Sequence, residues 1–275
     1  AGKGVIILQD LLAAKAALRQ MVAGQFGEAS RRVIVEEFLN GIELSVFVLT
    51  DGKNFTILPE AKDYKRIGEG DVGLNTGGMG AISPVPFADS VFMDKVKNRI
   101  ILPTIKGLRE ENIAYEGFIF FGLINVDSEP YVIEYNVRMG DPETEVVFPR
   151  IVGDILPVLR DTARGSLKPN ALDSSPLHAC TVMAVAGGYP ESYQKGFRII
   201  GLENEFSNGY LFQAGTAFGY NGEIVTNGGR VVSVTGMGTS LKQAATNAYE
   251  NLAKISFDHM RFRKDIGFEF IGKIG

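Results

Sequence analysis

The chain has 275 residues, 45% hydrophobic and 22% charged, which allows one large or two medium domains with ample core. A formal net charge of −4, without a basic cluster, argues against a protein that neutralises a nucleic-acid backbone. No run approaches the roughly 18 apolar residues that span a bilayer, and a single cysteine excludes an internal disulfide framework and points to a reducing compartment.

Ala1-Gly-Lys-Gly is neither a signal peptide nor an initiation site, so the chain reads as part of something longer. Val5 to Leu8 reads as a short buried strand, and Asp10 suits the N-cap of a helix running to about Ala23. Val33 to Glu37 is a β-branched strand. Glu43–Leu49 and Asn54–Leu58 form a hairpin turning at Asp51-Gly52. Glycines concentrated between Gly68 and Gly80 predict a long shaped loop. Asp89 to about Glu111 is helical, with Pro103 kinking or dividing it. Phe118–Asn125 and Pro130–Arg138 are adjacent strands, followed by helices near 144–151 and 154–164. From Leu167 the texture turns to linker (Pro169, Asn170, Ser174, Ser175, Pro176). Short strands then follow at 179–186, 210–215, 223–226 and 230–235, with a closing helix from Leu241 to Ile255. Cys180 lies in an apolar run and reads as a buried, inert thiol. The two histidines, His178 and His259, give a zinc site or a Ser-His-Asp triad little to draw on.

The most informative stretch is Tyr131 to Glu143, Y-V-I-E-Y-N-V-R-M-G-D-P-E. Strand alternation puts Tyr131, Ile133, Tyr135 and Val137 on one face as core candidates, with Val132, Glu134, Asn136 and Arg138 on the other. A carboxylate, an amide and a guanidinium in one row are costly to bury without partners. Magnesium-bound ATP would satisfy all three: Glu134 and Asn136 offer oxygen ligands to a hard cation, and Arg138 can pair with a phosphoryl oxygen. A solvated edge strand is the competing reading, weakened by the tight turn and further acids of Met139–Glu145.

Other segments carry two readings each. Ala1–Val5 is a glycine turn able to cradle phosphate beside Lys3, or a plain hairpin turn. Val33–Glu43 could flank adenine with Phe38 and Leu39 and hold ribose hydroxyls with Glu43, or form a solvent-facing hairpin. Asn75–Gly80 brings backbone amides close to a ligand, or is a mobile loop. Lys62, Asp63, Lys65 and Arg66 are substrate contacts or a solvated turn. Asn227-Gly228 is most simply a type I′ turn. Arg261, Arg263, Lys264 and Asp265 make a surface patch, or fold back over an anionic site.

Taken together, A-G-K-G-V (1–5), V-E-E-F-L-N-G-I-E (35–43), K-D-Y-K-R (62–66), L-N-T-G-G-M-G-A (74–81), E-Y-N-V-R-M-G-D-P-E-T-E (134–145), T-N-G-G-R-V (226–231) and F-R-K-D-I-G (262–267) resemble the phosphoribosylamine–glycine ligase family of the ATP-grasp superfamily. Met139 departs from the Phe or Leu usual in that family's R-x-G-D-P-E stretch, a volume-conserving change. The resemblance implies an α+β ATP-grasp fold with antiparallel sheets and flanking helices. Residues 1–36 would be the remainder of the small lobe, 37–170 the main lobe with the Mg-ATP site, and 171–275 a small C-terminal β-rich domain. The family's N-terminal domain would be absent from this chain, which alone is expected not to turn over substrate.

The implied activity is ATP-dependent ligation of glycine to 5-phosphoribosylamine through a glycyl phosphate, in purine biosynthesis. ATP and Mg2+ or Mn2+ are implied, with small-molecule partners, no nucleic acid, no membrane, a cytoplasmic location and a monomer or weak homo-oligomer. By the same resemblance Glu134 and Asn136 are metal ligands, and Arg138, Asp141 and Glu143 are catalytic. Lys3, Glu36, Glu37, Phe38, Leu39 and Glu43 would hold the nucleotide. Asn75, Thr76, Gly77, Gly78, Gly80, Arg263 and Asp265 would lie on the substrate side.

Overall fold

Asp10 caps the first helix, α1 (Leu11–Gln20), its carboxylate accepting from the Ala13 N–H at 2.7 Å. This is a computed structural model describing residues 5–271, and it divides into two compact units, 1–40 and 41–275. In the first unit α1 runs on through a wider turn at Met21–Gln25 and a 3-10 turn at Gly27–Arg31. The strands expected at Val5–Leu8 and Val33–Glu37 do not form. Neither stretch joins a ladder among the described residues, and Val5, Ile34 and Val35 are exposed. β-branched residues favour a strand only where a neighbouring backbone takes up their N–H and C=O groups.

The second unit opens with β1 (Ile42–Thr50), β2 (Phe55–Ile57), β3 (Lys62–Asp63), β4 (Arg66–Gly68), β5 (Val72–Asn75) and β6 (Gly80–Ser83). Helices α2 (Ser90–Val96) and α3 (Leu102–Glu110) precede β7 (Gly117–Val126) and β8 (Glu129–Asn136). Then come α4 (Thr144–Val147), β9 (Ile151–Val152), α5 (Ile155–Ala163), β10 (Asp173–Ser174), β11 (His178–Val185), β12 (Gly209–Gln213), β13 (Thr216–Phe218), β14 (Ile224–Thr226), β15 (Arg230–Gly238), α6 (Leu241–Leu252) and α7 (Phe268–Ile271). Two antiparallel sheets dominate, ordered β2-β1-β7-β8 and β12-β15-β11-β6-β3.

Strand alternation sorts the cores. Val46, Val48, Phe121 and Leu123 of the first sheet bury against Phe92, Val96, Ile101 and Ile105 of the helical stretch 90–110. Phe47, Leu49 and Phe120, on the opposite face, meet Val146 and Val147 of α4 and Ala81 and Ala179 of the second sheet. The far face of the second sheet carries α6 through Ala244, Ala245, Ala248 and Leu252. That second sheet takes β3 and β6 from before residue 170 and β11, β12 and β15 from after it, so packing runs continuously across the expected border.

Pro103 sits in the first turn of α3, directly after a wider helical turn at Lys97–Ile101, where its missing N–H is tolerated. The glycine stretch 68–80 is more regular than expected, because β4 and β5 pair within it. Asn227-Gly228 is not a type I′ turn. Neither residue has a positive φ, and β14 pairs with β13 instead of β15. Cys180 is fully buried in β11, where desolvation pushes its thiol up to about 12.

Helix α6 lies directly on the backbone of β15. A Cβ at Gly236 would stand 2.2 Å from the Ala244 carbonyl oxygen and 2.3 Å from the Ala248 nitrogen. Gly236→Ala is therefore expected to lower stability by about 1–3 kcal/mol, the usual cost of overpacking. Urea unfolding should show a lower midpoint at unchanged slope; an unaltered midpoint would contradict this packing.

Candidate active site

Strands β7 and β8 are joined by Asp127-Ser128, both at positive φ (50° and 64°), and pair from Val126↔Glu129 to Phe120↔Asn136. The register breaks once. Leu123 faces Val132 while Gly122 faces Glu134, leaving Ile133 as an extra residue. A bulge of this kind switches which residues share a face. Val132 consequently packs with the helix-covered core, and Tyr135 lies opposite Phe121 with ring centroids 5.4 Å apart. Glu134 and Asn136 point to the other face.

The alternation expected from sequence is corrected accordingly. Val132 leaves the polar row, and Tyr131, Ile133, Tyr135 and Val137 are 46%, 44%, 51% and 72% exposed instead of core. The reason is position: β8 is the outer strand of its sheet. Glu134 and Asn136 are half-buried.

Ser45 faces Gly122, and Gly122 faces Glu134, so these residues form one row across three strands. At the usual spacing of about 4.8 Å between strands, the row spans roughly 10 Å. Gly122, buried in the middle, leaves room for the Glu134 side chain and the Phe120 ring to pack over it. A Cβ there would stand 2.9 Å from Glu134 Cγ.

At one end of the row, the Asn136 amide donates to Glu134 Oε1 at 3.2 Å, and Arg138 donates to Asn136 Oδ1 at 3.3 Å and to the Met139 carbonyl at 2.9 Å. Glu134 has no cationic partner within salt-bridge distance among the described residues. An all-oxygen pair of this kind fits a hard divalent cation that takes its remaining ligands from phosphate and water. Among the described residues no three His, Cys, Asp or Glu side chains form a metal cluster, so the second unit offers two ligands and no closed cage.

At the other end the buried Glu143 accepts from the Ser45 hydroxyl at 3.0 Å. Burial, with Asp63's charge adding to it, pushes Glu143 up to about 7. Asp63 is likewise raised, first by burial, with Lys65 opposing and Glu43 reinforcing. Lys65 pairs with Glu43 and stands 3.9 Å from Asp63. Burial alone would lower the Lys65 ammonium, but the charges of Asp63 and Glu43 outweigh it and hold it above its ordinary value. Glu145, desolvated and repelled by Asp141, also rises to about 7.

The glycine loop closes over the D-P-E turn. Arg230 donates to the carbonyls of Gly77 (2.8 Å) and Asp141 (3.0 Å) and pairs with the Asp141 carboxylate at 3.0 Å. The Gly77 N–H donates to the Tyr189 hydroxyl at 2.9 Å, and the Gly78 N–H to Thr76 Oγ1 at 3.0 Å. Gly78 has φ 118°, and a Cβ there would meet Pro142 Cδ at 2.3 Å, so both conformation and space require glycine. Gly80 accepts from the Tyr64 N–H at 2.9 Å, and Asn75 ends β5 opposite Arg66.

The sequence-derived candidates thus fall into four groups. Glu134, Asn136, Glu43 and Ser45-bound Glu143 share one sheet face, and Asp141 is tied to Thr76–Gly78 through Arg230 and Pro142. Arg263 is 1% exposed and fully engaged by Asp71 (2.5 Å), Asp265 (2.8 Å) and the Arg66 carbonyl, while Asp265 also accepts from Gly70 N–H. That pair fastens the 66–71 turn instead of facing a cleft. Glu36, Glu37, Phe38 and Leu39 lie in an irregular stretch of the first unit, with Phe38 exposed, and Lys3 lies outside the described residues.

Ser45, Arg230 and Tyr189 were not singled out for the site. The sequence leaves Asp63 and Lys65 open to either a substrate contact or a solvated turn. A serine inside the apolar run of β1 and the alternation of Lys62-Asp63-Tyr64-Lys65 were the available signals.

Glu143 also gives a pH signature. Its folded-state pKa lies above the ordinary carboxylate value, so the stability from its neutral form is present below about 4.5 and lost as pH rises through about 7. Glu143→Gln cannot ionise. Its stability relative to the parent, read by urea unfolding, should improve between pH 5 and pH 8. Parallel pH profiles would show that Glu143 titrates normally.

The family model described as "Phosphoribosylglycinamide synthetase, ATP-grasp (A) domain" matches residues 1–144, and the C domain of the same synthetase matches 179–269. The chain is 42% identical over 275 residues to a phosphoribosylamine–glycine ligase of Neisseria meningitidis serogroup B, covering 99% of this chain and 65% of that protein. A Bifunctional purine biosynthetic protein PUR2,5 of Pichia angusta is 43% identical over 271 residues, covering 97% of this chain and 34% of that protein. The chain spans about 65% of the length of the ligase relatives it matches. Among solved structures, a phosphoribosylamine–glycine ligase from Thermotoga maritima superposes with a TM-score of 0.84 at 37% identity, over 96% of this chain and 66% of that one. A biotin carboxylase from Campylobacter jejuni, at 16% identity and TM-score 0.61 over 91% of this chain and 53% of that one, shares the fold alone. The chain has an ATP-grasp fold and belongs to the phosphoribosylglycinamide synthetase family.

Proposed function

We propose that this chain carries the nucleotide-metal and carboxylate-activating parts of a phosphoribosylamine–glycine ligase. The observation that carries the reading is the Ser45–Gly122–Glu134 row. It sets a hydrogen-bonded carboxylate–amide pair and an arginine at one end and buried acids with a lysine at the other, all on one sheet face.

In this reading Glu134 and Asn136 would hold Mg2+ or Mn2+. When bound, the ion supplies charge neutralisation on the ATP phosphates. Arg138 orients the γ-phosphoryl group and offsets the charge that develops on it. A glycine carboxylate oxygen attacks the γ-phosphorus, ADP leaves, and glycyl phosphate forms. The amine of 5-phosphoribosylamine then attacks the carbonyl carbon, releasing phosphate and a proton and leaving an amide bond. The loop 75–80 and the Asp141–Glu143 turn, clamped together by Arg230, would hold the small reactants in line, where positioning is worth several kcal/mol on the order of the usual proximity gains. Adenine recognition by Glu36–Leu39, with Lys3, and ribose recognition by Glu43 rest on the family resemblance. A cytoplasmic location follows from the same reading; among the described residues no helix is long and apolar enough to cross a membrane. A second reading, another ATP-grasp carboxylate–amine ligase, shares the metal strand and differs in the acid it activates.

Calorimetric titration of ATP should show binding that depends on Mg2+ and weakens at least about tenfold, or about 1.4 kcal/mol, in Glu134→Ala and in Asn136→Ala. Gly122→Ala, whose Cβ would stand 2.9 Å from Glu134 Cγ and 3.2 Å from the Phe120 ring, should weaken it several-fold and lower stability as well. Equal affinity with and without Mg2+ would refute the assignment of the metal strand. In the full-length gene product, phosphate release should require both glycine and phosphoribosylamine, and Arg138→Ala should lower kcat by about 10²–10³-fold. Turnover with a different carboxylic acid in place of glycine would favour the second reading.

A further inference from the structure

The segment Lys62–Lys65 faces two ways. Asp63 and Lys65 reach toward Glu43 and Glu143. Lys62 and Tyr64, one residue out of step, turn toward the terminal helix α7. Lys62 Nζ stands 2.9 Å from Glu269 Oε1, and the Tyr64 hydroxyl donates to Glu269 Oε2 at 2.8 Å. Lys62 also lies 3.8 Å from the centre of the Tyr64 ring, with the Arg263 guanidinium 5.2 Å from the same ring. Lys62 is 5% exposed and Tyr64 0%. A buried ammonium whose carboxylate is removed must find water or move, because an unpaired charge is not tolerated there.

The same segment holds the glycine loop. Tyr64 N–H donates to the Gly80 carbonyl at 2.9 Å, Met79 N–H to the Tyr64 carbonyl at 2.7 Å, and Thr76 N–H to the Lys65 carbonyl at 2.7 Å. Displacement of Lys62 and Tyr64 would therefore shift both Asp63–Lys65 and Thr76–Gly80. Helix α7 has its own attachment. Phe268, Phe270 and Ile271 pack on the core, and the Phe268 ring lies 6.2 Å from Tyr64. Loss of the Glu269 carboxylate would leave the helix docked while freeing the segment beneath it.

We propose that Glu269 is a positioning residue which, by pinning Lys62 and Tyr64, fixes how Asp63, Lys65 and the 76–80 loop are presented to the site. The inference rests on the functional reading above, and its test separates the two. In the full-length gene product, Glu269→Ala should lower kcat with glycine, phosphoribosylamine and ATP by about tenfold while the KM for ATP stays within about twofold. Hydrogen exchange should rise at the Tyr64, Thr76 and Met79 amides and not along β7 and β8. Glu269→Asp, which keeps a carboxylate for the Lys62 ammonium and the Tyr64 hydroxyl, should restore part of the loss. Unchanged exchange at those three amides, an even rise across the fold, or an Asp variant no better than Ala would overturn the proposal. A parent protein without ligase turnover would instead defeat the functional reading, and the exchange pattern would still decide the positioning role. Should Glu269→Ala fail to fold, Tyr64→Phe removes only the hydroxyl contact and carries the same readouts.

Discussion

The extra residue at Ile133 governs the geometry of the site. Without it, Glu134 and Val132 would share a face, and the carboxylate would come with an apolar neighbour. One inserted residue sends Val132 into the helix-covered core and leaves Glu134 and Asn136 together, opposite Gly122 and Phe120. Such an irregularity disrupts the ladder locally, and an outer strand is where a sheet tolerates it best. The neighbouring strand contributes by what it lacks. Gly122 has no side chain, so the Glu134 side chain and the Phe120 ring pack directly over its backbone.

From that row outward, the site consists of charged groups that hold one another in place. Glu143 sits under Gly140, where a Cβ would come within 2.5 Å of its carboxyl carbon, and takes its hydrogen bond from Ser45. Arg230 reaches from the far sheet to two carbonyls and a carboxylate on separate loops. The second sheet therefore acts as a backing plate for the first. Apart from Asp63 on β3, what its strands supply to the site is the clamps.

The helix cap at Asp10, the hairpin at Asp51-Gly52 and the existence of the strands before Asn125 and Arg138 are legible because each depends on local chemistry: a cap, a turn dipeptide, a run of strand formers. What was not legible depended on distant partners. The bulge at Ile133 follows from pairing with β7, since nothing in Y-V-I-E-Y-N announces an extra residue. Val5–Leu8 and Val33–Glu37 have strand composition but no ladder partner among the described residues. Arg263 and Asp265 read either as a surface patch or as a cover for an anionic site, whereas the partner that engages Arg263, Asp71, lies far off in the chain. Asp63 and Lys65 were ambiguous because their partners, Glu43 and Glu143, lie elsewhere in the chain.

The burial of Cys180 has a practical side. A thiol held at about 12 inside β11 stays protonated at neutral pH and is shielded from reagents, so it neither alkylates nor oxidises readily. Among the 275 residues it is the sole cysteine. A fluorophore or spin label attached to a new cysteine on an exposed position, such as Ser128 in the β7–β8 turn, would then report from that one place. Movement of the metal strand could be followed without first stripping a native thiol from the core.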